Sequence, residues 1–264
     1  RQLAQNLGLN YAVVPIQQSF EYTVDQLNDT EFIRLDGSGA LTKVELSSLN
    51  KENVQARDRG SRVLAGIASA IGAVFINNGN KTETALGYAT LYGDVNGALA
   101  PLADLYKMEV YELGKFINNK AGKALIPQEV FDIPASAELS DEQKIDEGKG
   151  DPIIYPYHDQ LMKAFIEFRL DPEDILTYYA EGTIARKLHL DNDLLEKHFN
   201  THQKFIEDLE HKWKLYKLNF FKRIQAPPII AVSKRAFGFD LRESQNSIYY
   251  TRKYQDLKQL YLDN

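Results

Sequence analysis

From Asn53 to Ile71 the chain reads NVQARDRGSRVLAGIASAI, which puts Val54, Val63, Leu64, Ile67 and Ile71 roughly on one face of a helix, with Arg57, Arg59 and Arg62 near its start. Gly72 ends that helix, and the apolar stretch Ala73 to Ile76 is short enough only for a buried strand. NNGNKTE then supplies a turn into another helix. Helix, strand, loop and helix in this order predict a crossover in a parallel sheet covered on both faces. At the start of the chain, Leu3 and Leu7 precede Gly8, and Leu9 to Ile16 is an apolar run of strand formers. Helix end, glycine cap and strand imply entry part-way through an alternating α/β unit.

A further helix over 105–118 closes this region, and the α/β core is expected over 1–134. The acidic stretch 135–157, with its glycines and prolines and no sustained period, reads as a long mobile loop, a lid or a connection. Beyond it, 158–264 is expected to be helical and to end in an extended tail from Gln225 onward. In this part Asp171 caps a helix that has Pro172 at its first position. There is no internal repeat.

Composition narrows the functional classes. The 264 residues are 44% hydrophobic and 26% charged, which fits a globular chain rather than a disordered or fibrous one. Lys and Arg number 31 against 37 Asp and Glu, a net charge of −6 that has the wrong sign for a general nucleic-acid binder. With no cysteine, disulfides, thiolate metal sites and a Cys nucleophile are excluded. No apolar run approaches a membrane span and no signal segment opens the chain, so a cytoplasmic location without membrane partners is expected. The chain opens at Arg1, not Met, so an upstream segment is expected.

The densest constellation runs from Asn77 to Lys107. A loop rich in Gly and Asn after a buried strand is where open α/β sheets bind ligands, because backbone N–H groups and a helix N-terminus converge there. It is equally what a tight turn of left-handed residues looks like. Glu83, in the first helical turn, is either a helix-start acid favoured by the dipole or a Mg²⁺ ligand. Lys107 is most simply a solvated helix lysine, and Ser136 a cap or loop hydroxyl. Arg57 and Arg59 are an exposed helix face or guanidinium forks for phosphate and carboxylate.

The blocks NVQARDRG, NGNKTETALGYATLYGDVNGALAPLADLYK, IPASAELSDEQ and FFKRIQAPP with VSKRAFGFD, in this order, closely resemble successive segments of the NAD synthase family. The resemblance runs from about Arg1 to Asp240, and the second block is its most specific part. It implies an open parallel sheet of the pyrophosphate-loop (adenine nucleotide alpha hydrolase-like) type, with a helical C-terminal region. KRIQAPP and RAFG resemble the glutamine-dependent branch, in which an N-terminal glutaminase domain supplies ammonia. Such enzymes adenylate deamido-NAD (nicotinic acid adenine dinucleotide) with ATP and Mg²⁺, and let ammonia displace AMP to form NAD. By motif, Asn53, Arg57, Glu83 and Lys222 resemble residues at the deamido-NAD site. Asn78, Lys107 and Ser136 resemble ATP-site residues, and Glu83 resembles the acid that also meets the metal. No residue is singled out as catalytic. A homodimer or higher homo-oligomer is implied, packed through the helix 53–71, whose Gly60, Ala65, Gly66, Ala68 and Ala70 permit close approach.

Two departures matter. Asn78 stands where the family usually has Thr, and the SGGxDS phosphate loop occurs nowhere in the sequence. The alternative to the ligase is therefore a non-catalytic nucleotide-binding or assembly module, and a ligase of the same fold acting on another acid is a third reading. The missing loop and first strand also carry an expectation for a protein of only these 264 residues. The runs Leu9–Ile16 and Ala73–Ile76 should each lack a neighbour between them, so that protein should aggregate and release no pyrophosphate from ATP. Pyrophosphate release dependent on deamido-NAD and ammonia, measured on it, would contradict this.

Overall fold

The computed structural model describes residues 1–36, 41–136, 151–238 and 248–263. The chain divides into two compact units: 1–77 with 90–98 and 113–152, and 78–89 with 99–112 and 153–264.

The first unit opens with α1 (Gln2–Leu7), closed by Gly8 in the left-handed conformation, and α2 (Gln17–Asn28). Phe20, Val24 and Leu27 give α2 a helical stripe, of which Val24 is buried. Strands β1 (Glu31–Ile33) and β2 (Leu41–Lys43) pair antiparallel, with Glu31 opposite Lys43. Helix α3 (Ser48–Arg57) starts at Ser47, which forms a reciprocal capping box with Asn50. A π-helical segment, Asp58–Leu64, continues it into α4 (Ala65–Ala70). The helix expected from Asn53 to Ile71 thus begins earlier and is widened in the middle. At the widening, Gly60 lies against the Gly93 carbonyl so closely that a Cβ has no room. Asp58 anchors this turn: Arg62 and the Ser19 hydroxyl both donate to its carboxylate and, Arg62 foremost, hold its pKa below the ordinary value.

The expected parallel sheet does not form among the described residues, where β1 and β2 make the one named sheet. Residues 9–16 form no strand, and Leu9, Tyr11, Val13 and Val14 are exposed. In 73–76, the Phe75 carbonyl accepts from Ala98 N–H, yet Val74 and Ile76 are exposed as well. A strand forms by pairing, and among the described residues neither run joins a named strand, Ile76 making a single isolated bridge.

The second unit carries the larger core. It contains α5 (Lys81–Leu86) and the first part of α6 (Lys107–Ala121), whose remainder, with α7 (Glu129–Asp132), belongs to the first unit. Then come α8 (Tyr155–Ile166), α9 (Pro172–Ala180), α10 (Ile184–Lys187), α11 (Leu194–His198), α12 (His202–Leu218) and α13 (Phe220–Ile224). The Asp171 cap and Pro172 start of α9 are as expected from sequence. The tail is not extended throughout, because Thr251 caps α14 (Arg252–Leu262). Tyr254, Leu257 and Tyr261 share one face of α14, which packs on α9 and α12, and Tyr254 donates to Glu210 at 3.0 Å. Tyr157, Leu161, Met162, Phe205, Ile206 and Leu209 are fully buried at the centre. The lid expected over 135–157 lies largely outside the described residues. Of its ends, Asp151 N–H donates to the Ala135 carbonyl at 2.8 Å.

Two buried polar arrangements order this unit. Lys81 has no exposed surface, and its ammonium meets Asp104 at 2.9 Å, Ser233 Oγ at 2.8 Å and the Arg235 carbonyl at 2.6 Å, with Glu167 at 3.5 Å. Asp104 in turn accepts from the backbone N–H groups of Val232 and Ser233, both at 2.6 Å. Burial alone would raise the Asp104 pKa. Donation from Ser233, Lys81 and Val232 outweighs burial and lowers it. In the second arrangement His158 accepts the Ile154 N–H at Nδ1 (2.8 Å), so its proton sits on Nε2, 2.9 Å from Asp208. Burial, foremost, keeps the imidazole neutral, its pKa below 6.5.

Both arrangements make measurable demands. Lys81→Met strands Asp104 without its cation, a change that costs about 3 to 5 kcal/mol when a buried pair is broken. Its melting temperature should fall far more than that of the exposed Lys204→Met, and equal shifts would contradict the reading. For His158 the folded pKa is depressed, so protonation favours the unfolded chain. Its contribution is complete above the ordinary value and lost as pH falls through it. Melting followed from about pH 7.5 to about pH 5.5 should show a shallower fall for His158→Gln than for the wild type, and parallel curves would remove His158 from the account.

Candidate functional site

The candidate residues fall into separate groups, and each is built by its own unit. In the first unit Asn53 and Arg57 stand one turn apart on α3 and face the loop that begins at Thr90. Asn53 Oδ1 accepts from the Thr90 hydroxyl at 2.7 Å, and Arg57 Nε donates to the Leu91 carbonyl at 3.2 Å. Asp94 closes the loop by accepting the Thr90 N–H at 2.6 Å. Tyr92, within it, holds a left-handed φ of 64°, a conformation uncommon outside glycine. The guanidinium of Arg57 stays largely exposed beside this ordered loop. Ser136 also belongs to this unit, half-buried, and is the last described residue before 137–150.

In the second unit α5 is held at both ends. Asn80 accepts the Glu83 N–H at 3.0 Å, while the Glu83 carboxylate accepts the Asn80 N–H at 2.9 Å, a reciprocal capping box. The helix-start role weighed for Glu83 is therefore real. The other carboxylate oxygen accepts from the Tyr155 hydroxyl at 2.9 Å. The Tyr155 ring also lies 5.5 Å below the Lys107 ammonium, which is 5.2 Å from the Tyr111 ring. One tyrosine thus links Glu83 to Lys107, two residues 24 positions apart that the sequence offered separately. Asn78 is exposed just ahead of the capping box.

At the far end of α5, α13 and Asn219 just before it supply the donors that the last carbonyls need. Arg223 donates to Ala85 O at 2.6 Å, Asn219 to Leu86 O at 2.8 Å, and Lys222 Nζ to Gly87 O and Ala89 O, each at 2.7 Å. Gly87 ends the helix at φ 64°. Lys222 accordingly caps a helix, and its ammonium is fixed at the α5 C-terminus.

Asp159 completes the arrangement around Lys107. It is buried on α8, and one carboxylate oxygen accepts from the Thr82 hydroxyl while the other accepts the Met108 N–H at 2.8 Å. Burial, foremost, pushes its pKa up to about 6 against these bonds, and the nearby Glu109 adds to the rise. No group of three metal-ligating carboxylates or imidazoles occurs among the described residues. Mg²⁺ needs one or two carboxylates beside phosphate oxygens and water, so a single carboxylate at Glu83 is a donor of the right kind.

Tyr155, Thr82 and Asp159 escaped sequence reasoning because tyrosine and threonine carry no charge signal, and Asp159 sits inside an apolar helical stripe. The capping geometry of NKTE was the one available hint.

A model of the NAD synthase family matches residues 1–215. The glutamine-dependent NAD(+) synthetase of Thermotoga maritima is 34% identical over 241 residues, covering 91% of this chain and 35% of that protein. The Xanthomonas campestris protein of the same name is 33% identical, covering 89% and 36%. This chain therefore spans about a third of the length of these relatives. A crystal structure of a glutamine-dependent NAD(+) synthetase from Cytophaga hutchinsonii superimposes with a TM-score of 0.64 at 16% identity, over 98% of this chain and 37% of that one, which supports the fold alone. With the family's motifs in order and its model covering most of the sequence, the chain belongs to the NAD synthase family.

Proposed function

We propose that this chain is the synthase portion of a glutamine-dependent NAD(+) synthase, an ATP-consuming carbon–nitrogen ligase. In this reading the nicotinate carboxylate of deamido-NAD attacks the α-phosphorus of ATP and pyrophosphate leaves. Ammonia then adds to the acyl carbon, AMP departs, and the amide of NAD remains. The observation that carries the reading is the Glu83–Tyr155–Lys107 link, which places a carboxylate and an ammonium around one ring in a member of this family.

The residues divide the work by chemistry. Lys107 neutralises phosphate oxygens as charge accumulates on them, and Asn78 hydrogen-bonds ATP from its exposed position. Glu83 offers its carboxylate to the cation and to deamido-NAD, and Mg²⁺, when bound, would neutralise the phosphates of ATP. Asn53 and Arg57 bind deamido-NAD from α3. Lys222, beside the end of α5, is assigned to deamido-NAD by its motif, and Ser136 to ATP.

The larger assembly belongs to the same proposal. The apolar runs 9–16 and 73–76, each following a helix with a glycine stop, suit positions on either side of a further strand in an open parallel sheet of the pyrophosphate-loop type. Leu64, Ile67 and Ile71, 47%, 42% and 72% exposed, form a self-complementary face for a homodimer. Ammonia comes from an N-terminal glutaminase domain, and the enzyme works in the cytoplasm.

The decisive assay follows NAD formation by the complete gene product from ATP, ammonia and deamido-NAD, with xanthylate and aspartate as competing acids. Glu83→Gln keeps a side chain able to complete the capping box, so α5 should persist while turnover falls ~100-fold or more. Turnover within about threefold of wild type at saturating Mg²⁺ would return Glu83 to a purely capping role.

A further inference from the structure

Helix α8 presents Tyr155 and Asp159 one turn apart on a single face. Each of them touches both α5, which carries Glu83, and α6, which carries Lys107. Tyr155 reaches Glu83 on α5 with its hydroxyl and Lys107 on α6 with its ring. Asp159 reaches Thr82, the residue before Glu83, and the N–H of Met108, the residue after Lys107. Thr82 and Asp159 are buried, 0% and 2% exposed, so water offers no substitute for either bond.

Resting on the reading above, we infer that Asp159 is a positioning residue. Its two carboxylate oxygens tie the first turn of α5 to the first turn of α6 and thereby fix the separation of Glu83 from Lys107. Two separate acceptors are essential to this task. One oxygen accepts the Thr82 hydroxyl and the other the Met108 N–H, with the Lys107 N–H also bonded to the carboxylate, so Thr82 and Met108, 26 residues apart in the sequence, are held by one side chain. An amide at position 159 keeps one acceptor and turns an NH₂ group toward the other donor, so one of the two links must fail. The Met108 bond also places a negative charge at the start of α6, where the helix dipole favours it. Neither Thr82 nor Asp159 meets a reacting group. Their effect passes through the residues beside the bonds they make.

Positioning separates from stability in the kinetics. An electrostatic contact displaced by about 1 Å can cost on the order of 100-fold in rate, while binding contacts elsewhere on the substrates remain. In the complete gene product assayed with ATP, ammonia and deamido-NAD, Asp159→Asn and Thr82→Val should each lower kcat by about tenfold or more, with both KM values within about threefold of wild type. Thr82→Ser keeps the hydroxyl and should restore kcat to within about threefold of wild type. Folded Asp159→Asn and Thr82→Val proteins with wild-type kcat would overturn the inference. So would a Thr82→Ser protein as slow as Thr82→Val. Should Asp159→Asn fail to fold, the comparison of Val with Ser at position 82 decides alone. A wild-type protein that forms no NAD refutes the proposed function itself, whereas an active wild type with unaffected variants refutes only the role of Asp159.

Discussion

The second unit depends on one buried charge. Lys81 cannot leave its ammonium in an apolar interior, and the surrounding chain is arranged to supply its partners. Asp104 comes from the loop before α6, Glu167 from the end of α8, and Ser233 and the Arg235 carbonyl from the segment after α13. Asp104 then grips the Val232 and Ser233 backbone, so one ion pair holds parts of the chain more than 120 residues apart. The neighbours of Lys81 behave in the same way. Successive residues in a helical turn point about 100° apart, so the four residues of NKTE each meet a different surface. Asn80 closes the helix start, Lys81 takes the buried carboxylate, Thr82 takes Asp159, and Glu83 takes Tyr155. A short helix that would be marginal alone becomes a fixed junction.

The first unit is held by other means. Small residues allow close approaches in it: Gly60 lies against Gly93, and Gly93 against the Ala56 backbone, with no room for a Cβ at either glycine. Many of its large apolar side chains, among them Leu9, Val13, Ile71, Val74 and Phe116, are exposed. Polar ties do much of the ordering, notably Asp58 with Ser19 and Arg62, and Asn6 with the Ala124 and Leu125 carbonyls. Local precision around Asn53 and Arg57 thus comes from hydrogen bonds to one loop, without a deep core beneath it.

Periodicity and punctuation in the sequence were good guides where a helix is settled by its own residues. The start of α9 at Asp171 and Pro172, and the glycine stop of α1, were readable because caps act within a few residues. Pairing was not readable, since an apolar run such as Leu9–Ile16 favours a strand but cannot supply its own neighbour. The π-helical widening at Asp58–Leu64 was hidden for a related reason: it accommodates the loop at Gly93, and that loop is remote in sequence. Single residues of the candidate site were visible by motif. What joins them, a tyrosine ring and a buried aspartate on α8, depends on three-dimensional proximity that spacing does not encode.

The end of α5 also limits how this sequence can change over time. Gly87 needs its left-handed backbone, and a Cβ there would strike the Asn219 side chain. Asn219 in turn satisfies the Leu86 carbonyl, and Lys222, one helical turn later, satisfies that of Gly87 itself. A side chain gained at position 87 would require a smaller residue at 219, and that loss would leave a helix-end carbonyl unpaired. The two positions are therefore locked as a pair, and neither can drift by single steps without the other, although neither touches a substrate in any role described above.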